Sequence, residues 1–248
     1  MAKNERRRQQ SLARKVAKRK RSGTRQSLPS TGRGALREAS HWPLYECLIS
    51  RSWQEPGELT QILVARSSPV GGIAVAGFLV DLGCLGVKDA LFHLFFTTGE
   101  YEEFRRSYTG RQPMIKTDLD LAAKVIQEGI AYADRLGFKP NRDYRDAATL
   151  LAGANPEACS TPIPLGMDGK PFFISGPYDN VPRIMAQLDK AVGPGNADFI
   201  VGLDGFDDVD DLDDLDALVD VAENVEEEPE SEGPGLFPRL LRRLGPPK

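Results

Sequence analysis

The chain has 248 residues and a formal net charge of -4, and this small value hides two highly charged ends of opposite sign. Residues 1–38 contain 13 Lys and Arg against two acids, whereas residues 204–232 contain 15 Asp and Glu and no basic residue. The three cysteines are widely spaced and form no C-x-x-C pair, which excludes an encoded disulfide framework and a zinc site.

The charge pattern predicts four segments along the chain. Residues 1–38 are expected to form a basic, disordered arm and linker, and residues 39–202 a single folded domain in which acidic and basic residues nearly balance. An acidic disordered segment over 203–235 and a short basic amphipathic tail over 236–248 follow. The longest apolar stretch is too short to cross a bilayer, so no membrane span is predicted, and the cysteine usage favours a cytoplasmic location.

The arm has the composition of a nucleic-acid-binding segment. Each Lys or Arg that meets a phosphate releases condensed counterions, which gives an affinity that depends on salt and hardly on sequence. A solubilising tail and a nuclear-import signal are the alternatives. The candidate nucleic-acid-binding residues are Arg6, Arg7, Arg8, Arg14, Lys15, Lys18, Arg19, Lys20, Arg21 and Arg25.

The first part of the predicted domain indicates β-strands. The apolar segment 42–49 is expected to begin the fold near Trp42, as a strand or an ordered extended entry. Residues 59–66 and 73–82 are rich in strand-forming side chains and are separated by Pro69-Val70-Gly71-Gly72, which predicts an antiparallel pair. The second of these strands is apolar on both faces, which predicts burial on both sides.

Helical spacing of apolar residues dominates the middle of the chain. It predicts a short helix over 87–95, a second helix over 101–108 and a third over 118–136. The third is the clearest, because its apolar stripe ends just before Gly137, where a helix commonly terminates. A further short helix is expected within 141–151.

The last part of the domain contains strong turn and cap signals. Asp168-Gly169 lies between the apolar segments 163–165 and 170–174 and predicts a β-hairpin. A helix over 180–192 and a short strand over 198–201 are expected to follow. The order of elements predicts the α+β class, with an antiparallel sheet packed by several helices.

Asp81, Asp89 and His93 are the candidate catalytic residues, because they lie close together in the sequence. If this segment is helical, Asp89 and His93 share one face, which suits a general acid–base pair or a metal site. A nucleophile pair formed by Cys84 and His93 lacks a recognisable local signature. The alternative is that all these side chains belong to the core.

No cofactor or metal is predicted from the remaining motifs. The acidic segment does not match the spacing of an EF-hand loop. Residues 166–170 and 175–180 could present backbone amides to a phosphate, but neither is a known nucleotide-binding loop, and ordinary turns are the favoured interpretation.

Two stretches carry a resemblance to a protein family. They read Phe78-Leu79-Val80-Asp81-Leu82-Gly83-Cys84-Leu85-Gly86-Val87-Lys88-Asp89 and Gly169-Lys170-Pro171-Phe172-Phe173-Ile174-Ser175-Gly176-Pro177. Together they resemble an uncharacterised family of bacterial proteins, some with similarly basic N-termini, over about residues 42–201. The resemblance implies a bacterial cytoplasmic protein. It implies no catalytic residue, because the family has no established activity.

The sequence leads to one hypothesis and two alternatives. The leading hypothesis is a non-catalytic accessory protein whose basic arm binds RNA or a ribosomal surface, while the acidic segment limits nonspecific binding. One alternative is a metal-assisted phosphodiester hydrolase that uses Asp81 and Asp89. The other is a protein-interaction module that binds protein partners through its charged tails, either the acidic segment or the C-terminal tail.

Overall fold

A computed structural model describes residues 33–110 and 112–201 of the chain. The predicted nucleic-acid-binding residues, the acidic segment and the basic tail lie outside the described residues. The elements in chain order are α1 (Arg33–Ala39), β1 (Leu44–Ser50), β2 (Thr60–Ser67), β3 (Ile73–Asp81), β4 (Gly86–Phe95), α2 (Thr98–Thr109), β5 (Met114–Lys116), α3 (Leu119–Arg135), α4 (Tyr144–Ala147), 3₁₀ helices at Ala148–Leu151 and Pro156–Ala158, β6 (Phe172–Ile174), α5 (Val181–Val192) and β7 (Asp198–Ile200).

The predicted α+β class is confirmed. An antiparallel five-stranded sheet has the order β4-β3-β2-β1-β5, and helices pack on it. The expected antiparallel pair is β2 with β3, in register from Thr60 opposite Val80 to Ser67 opposite Ile73. Every residue of β3 is buried, as its two apolar faces predict.

The sheet is covered on both faces, because alternate residues of a strand point to opposite sides. One face carries Ile62, Val64 and Phe78 and packs with α1, α3 and α4. The other face carries Leu63, Val75 and Leu91 and packs against α2, whose three buried aromatic residues are Tyr101, Phe104 and Tyr108. This second face, which we call the α2 face, forms one side of the candidate functional site.

The helices at 98–109, 119–135 and 181–192 confirm the predictions made from apolar spacing and caps. In α2 the side chain of Thr97 accepts the N–H of Glu100, and the Glu100 carboxylate accepts the N–H of Thr97 in return, which is a capping box. In α5 the Asn180 side chain accepts the Arg183 N–H. The helix expected within 141–151 is present as α4 followed by one 3₁₀ turn.

Packed structure begins earlier than the sequence predicted. The expected boundary put residues 1–38 in a disordered arm and linker and started the fold near Trp42, but α1 spans Arg33–Ala39. Ala35, Leu36 and Ala39 are buried. The small side chains Ala35 and Ala39 are four residues apart and allow one face of this short helix to lie close to the core, a signal that the surrounding Ser, Thr and Gly residues obscured.

The predicted helix over 87–95 is wrong, because β4 occupies this segment. It pairs with β3 from Ile73 opposite Phe95 to Asp81 opposite Gly86. A short apolar run buried on both faces has no decisive periodicity, so its spacing matched a helix by coincidence. What decides its conformation is the tight connection from β3, which places β4 beside its partner.

The predicted hairpin around Asp168-Gly169 is only partly present. Both residues have positive φ, 51° and 80°, and Met167 and Lys170 exchange two backbone hydrogen bonds across them, as a two-residue turn requires. The pairing stops there because Pro171, like Pro164, has no N–H to continue a ladder. Instead β6 pairs with β7 in parallel, and α5 forms the crossover between them.

Candidate functional site

The structure separates the three candidate catalytic residues along the hairpin of β3 and β4. Asp81 ends β3 and lies opposite Gly86, whereas Asp89 and His93 lie opposite Leu79 and Val75 on β4. Asp89 and His93 do share one face, since residues four apart in a strand point to the same side. At about 3.3 Å per residue, however, His93 lies about 20 Å along the strand from the level of Asp81.

His93 and Asp89 have separate surroundings within this face. The His93 ring packs on Phe95 with ring centroids 4.5 Å apart, and burial lowers the pKa of His93, although Glu100 opposes the shift. Asp89 is 4% exposed, and the Tyr108 pKa is raised by burial and also by the charge of Asp89. In residues 33–110 and 112–201, no group of three or more His, Cys, Asp and Glu side chains could hold a metal ion.

Cys84 belongs to a different part of the core from His93. It is buried with Phe173 and Leu188, on the side where α5 packs. Burial raises the pKa of the Cys84 thiol, and the charge of Asp81 adds to this shift. The protonated thiol is a poor nucleophile, and the structure does not bring it to His93.

Asp81 closes the turn between β3 and β4. Its Oδ1 accepts the N–H of Gly83 at 2.7 Å and the N–H of Cys84 at 3.0 Å. Burial raises the pKa of the Asp81 carboxyl, and the Lys88 ammonium and the turn's N–H groups act in the opposite direction. Asp81 is 7% exposed and is therefore a nearly buried acid that also lines a cleft.

The cleft has a volume of about 390 Å³ and opens between the α2 face of the sheet and the segment that contains β6. Backbone contacts dock β6 beside the turn between β3 and β4: the Phe172 N–H donates to the Gly83 carbonyl at 3.1 Å. The residues that line the cleft are Gly57, Glu58, Leu59, Gln61, Asp81, Lys88, Gln112, Phe172, Ile174, Ser175 and Gly176.

The apolar wall of the cleft depends on a close approach at Gly57. This glycine has a φ of 82°, and a Cβ there would lie 2.7 Å from Ile174 Cδ1 and 2.8 Å from Phe172 Cε1. Only a residue without a side chain lets the loop before β2 touch both side chains. Leu59, partly buried, continues the apolar surface.

Lys88 reaches the cleft because β4 contains a bulge. Leu79 lies opposite Asp89 and Val80 opposite Val87, so Lys88 is the extra residue between them. Its Nζ lies 2.5 Å from Asp179 Oδ2, on the loop before α5. The same Asp179 oxygen accepts the Gly176 N–H at 2.8 Å, so the ammonium and this amide are both directed at one carboxylate.

Gln61 is the polar residue of the cleft that sequence reasoning missed. It lies within β2 opposite Leu79 and is 7% exposed. Its Oε1 is buried and has no hydrogen-bond partner among the described residues. A glutamine directly before the apolar run 62–65 was the available signal, but β-strands commonly place such residues on a solvated face.

The two turns considered as phosphate-binding segments use their own groups. The Gly176 N–H donates to Asp179, and the Arg183 N–H at the start of α5 donates to Asn180. Lys170 Nζ lies 4.0 Å from Asp198 Oδ1. The chain's own carboxylates and amide oxygen thus take the positions that a phosphate would need.

Comparison with known proteins identified no relative of this chain. No protein-family model, curated protein or solved structure matches the chain. Among the described residues, no helix is both long and apolar enough to pass through a membrane.

Proposed function

We propose that this protein is a nucleic-acid-associated accessory protein that binds RNA or a ribosomal surface through its basic arm, and that its α+β domain is non-catalytic. The observation that carries the proposal is the charge of residues 1–32, the part of the arm before α1, with 11 basic residues against one acid. Such a density of positive charge gives strong, sequence-independent attraction to phosphates. A cytoplasmic location and a bacterial source go with this proposal.

The charge of the described domain supports assigning nucleic-acid binding to the arm and not to the domain. Residues 33–110 and 112–201 contain 16 Lys and Arg and 20 Asp and Glu, so the domain has no excess of positive charge with which to attract a polyanion. A nucleic-acid-binding surface usually has a clear basic excess. The arm is therefore the segment on which the affinity depends.

Helix α1 supports a role for the domain in positioning the arm. The arm continues directly into this helix, and Ala35 and Ala39 anchor the helix in the core beside Trp42. The point at which the arm leaves the fold is thus defined by packing. A partner bound by the arm is held close to the domain, which can add a specific contact to the electrostatic one.

The test is RNA binding by the full chain with the arm neutralised. In this variant Arg6, Arg7, Arg8, Lys18, Arg19, Lys20 and Arg21 are replaced by Gln. We expect weaker binding of a labelled single-stranded RNA, measured by fluorescence anisotropy across about 50 to 200 mM salt. The slope of log K against log salt should fall by about 0.7 for each arm residue that contacts a phosphate.

A matched control neutralises exposed basic residues of the domain, Arg51, Lys116, Arg145 and Lys190. Per charge removed, it should change affinity and slope much less than the arm variant does. Equal effects, or RNA binding that does not respond to salt, would contradict the proposal. If protein partners are retained after nuclease treatment while RNA does not bind, the protein-interaction alternative replaces it.

The hydrolase alternative has no comparable support. Asp81, Asp89 and His93 lie at different positions along the hairpin, and Asp81 uses one oxygen to close a turn.

A further inference from the structure

The polar groups of the cleft differ in how far they are already engaged. Three donors of the cleft already bond to other groups of the chain. Lys88 Nζ donates to Asp179, Gln112 Nε2 donates to Ser52 Oγ at 2.9 Å, and the Ser175 N–H donates to the Ile200 carbonyl. The acceptor Gln61 Oε1 is buried and has no partner among the described residues. A buried acceptor without a donor lowers the free energy of unfolding, so a ligand in the cleft that donates a hydrogen bond to this atom would recover that loss.

The charges of the cleft favour a cation. Glu58 and Asp81 line it, whereas Asp179 is outside the lining and pairs with Lys88, so the lining has two carboxylates and one ammonium group that is already paired. Lys88 already contacts Asp179 at 2.5 Å, which leaves little positive charge to attract an anionic ligand. An anion would also meet the unpartnered Gln61 oxygen, which repels it.

We propose that this cleft binds a small primary amine with an apolar body. Gln61 and Asp81 lie on one face of neighbouring strands, because Gln61 is opposite Leu79 and Asp81 is two residues further on. Diagonal neighbours of this kind have Cα atoms about 7–8 Å apart, which allows one ammonium group to contact both side chains. The ammonium lies beside the Asp81 carboxylate, and the Gln61 amide turns toward the cleft to let its Oε1 accept a hydrogen bond from it.

The apolar body of the amine contacts the opposite wall. Leu59, Phe172 and Ile174 form this wall, and Ile174 at the mouth is 37% exposed. A volume of about 390 Å³ lies near the lower end of the range for small-molecule sites, about 300–1,000 Å³. The cleft therefore suits a compact amine rather than a nucleotide or a peptide.

The test compares head groups on one body in the full chain. Benzylamine, benzyl alcohol and benzoate share an aromatic ring and differ in charge, and isoamylamine offers an aliphatic body. We expect both amines to shift the amide NMR signals of residues lining the cleft, with an affinity at least about tenfold higher for benzylamine than for benzyl alcohol. Benzoate should cause no such shifts.

Gln61→Leu removes the unpartnered oxygen and keeps a similar volume. We expect this variant to fold with an unchanged or higher melting temperature and to bind benzylamine about tenfold or more weakly. Gln127→Leu makes the same change on an exposed position of α3 and should leave amine binding unchanged. Asp81→Asn keeps the turn's hydrogen bonds and should remove the preference for benzylamine over benzyl alcohol.

Three results would overturn the inference. One is the absence of amine-induced shifts at the cleft, whatever the stability of Gln61→Leu. Another is equal affinity for benzylamine and benzoate. The third is unaltered amine binding in Gln61→Leu. None of these results bears on RNA binding by the arm, so the two proposals fail separately.

Discussion

Arg66 shows how a single buried cation can serve the fold with no carboxylate partner among the described residues. The guanidinium is 6% exposed and donates to three backbone carbonyls, those of Trp42 at 2.7 Å, Leu150 at 2.8 Å and Ala152. Burial lowers the pKa of Arg66. Its five donors in a rigid fork satisfy chain segments that have no ladder partner, and Lys could not span the same carbonyls.

Asp81 makes stability depend on pH. Its pKa is raised above the ordinary value of 3.8, so above that value the folded chain holds this proton more tightly than the unfolded chain does. Stability from this group is therefore present at acid pH and decreases as the pH rises through the raised pKa. Asp81→Asn keeps an oxygen for the Gly83 and Cys84 amides and removes the titration.

The expected result is that Asp81→Asn gains free energy of unfolding relative to the parent chain as the pH rises from about 3 to 7. Urea unfolding at a series of pH values measures this difference. Asp146→Asn, at an exposed position, provides the comparison for general charge effects. Parallel curves for Asp81→Asn and the parent chain would contradict the assignment of a buried, titrating carboxyl.

Among the elements, the contact between α3 and the start of β4 depends on two glycines. Gly86 has a φ of 69°, and a Cβ there would lie 2.8 Å from Ala133 Cβ and 3.1 Å from the Gly129 carbonyl oxygen. Gly129 in turn faces Val80 and Leu82 across the same interface. The helix can lie this close to the hairpin only where both elements lack side chains.

Gly86→Ala should therefore destabilise the fold by about 2–5 kcal/mol, the sum of a left-handed backbone conformation and overpacking. Gly71→Ala is the matched control, because Gly71 has a φ of 103° with nothing within 4 Å of the added Cβ. That change should cost only about 1–2 kcal/mol. Urea unfolding distinguishes the two, and equal losses would show that the helix moves away without cost.

Elements with local signals were predictable from the sequence, whereas those set by tertiary pairing were not. The apolar stripes of α3 and α5 and the Asn180 cap of α5 act within one helix, and their positions were confirmed. The strand β4 is defined by its pairing with β3, and β6 by a parallel partner 26 residues later, from Phe172 to Asp198. The cleft combines both cases: Asp81 was a sequence candidate, but Gln61 joins it in the lining only through strand pairing, and Asp179 reaches Lys88 only through docking.

The whole molecule places its charge outside a nearly neutral domain. The two blocks of opposite sign lie at 1–32 and 204–232 in the sequence, while β7 ends at Ile200 and α1 starts at Arg33. An acidic segment can compete with RNA for the arm, and this competition lowers every affinity of the arm for RNA by the same factor. Under the proposed function, weak nonspecific sites then fall below saturation first, while the tightest sites stay occupied.

This competition predicts that replacing Asp210, Asp211, Asp213, Asp214 and Asp216 by Asn strengthens RNA binding several-fold at low salt. Screening shortens the reach of surface charges to about 10 Å at 0.1 M salt, so the gain should decline as salt rises. The decisive measurement is a double-mutant cycle with the arm-neutralised variant. If the acids act by covering the arm, they have nothing to cover in that variant, and the same Asn replacements should leave its weak binding unchanged. A similar gain in both backgrounds would mean instead that the acidic segment repels RNA directly, and the two ends of the chain would then act independently.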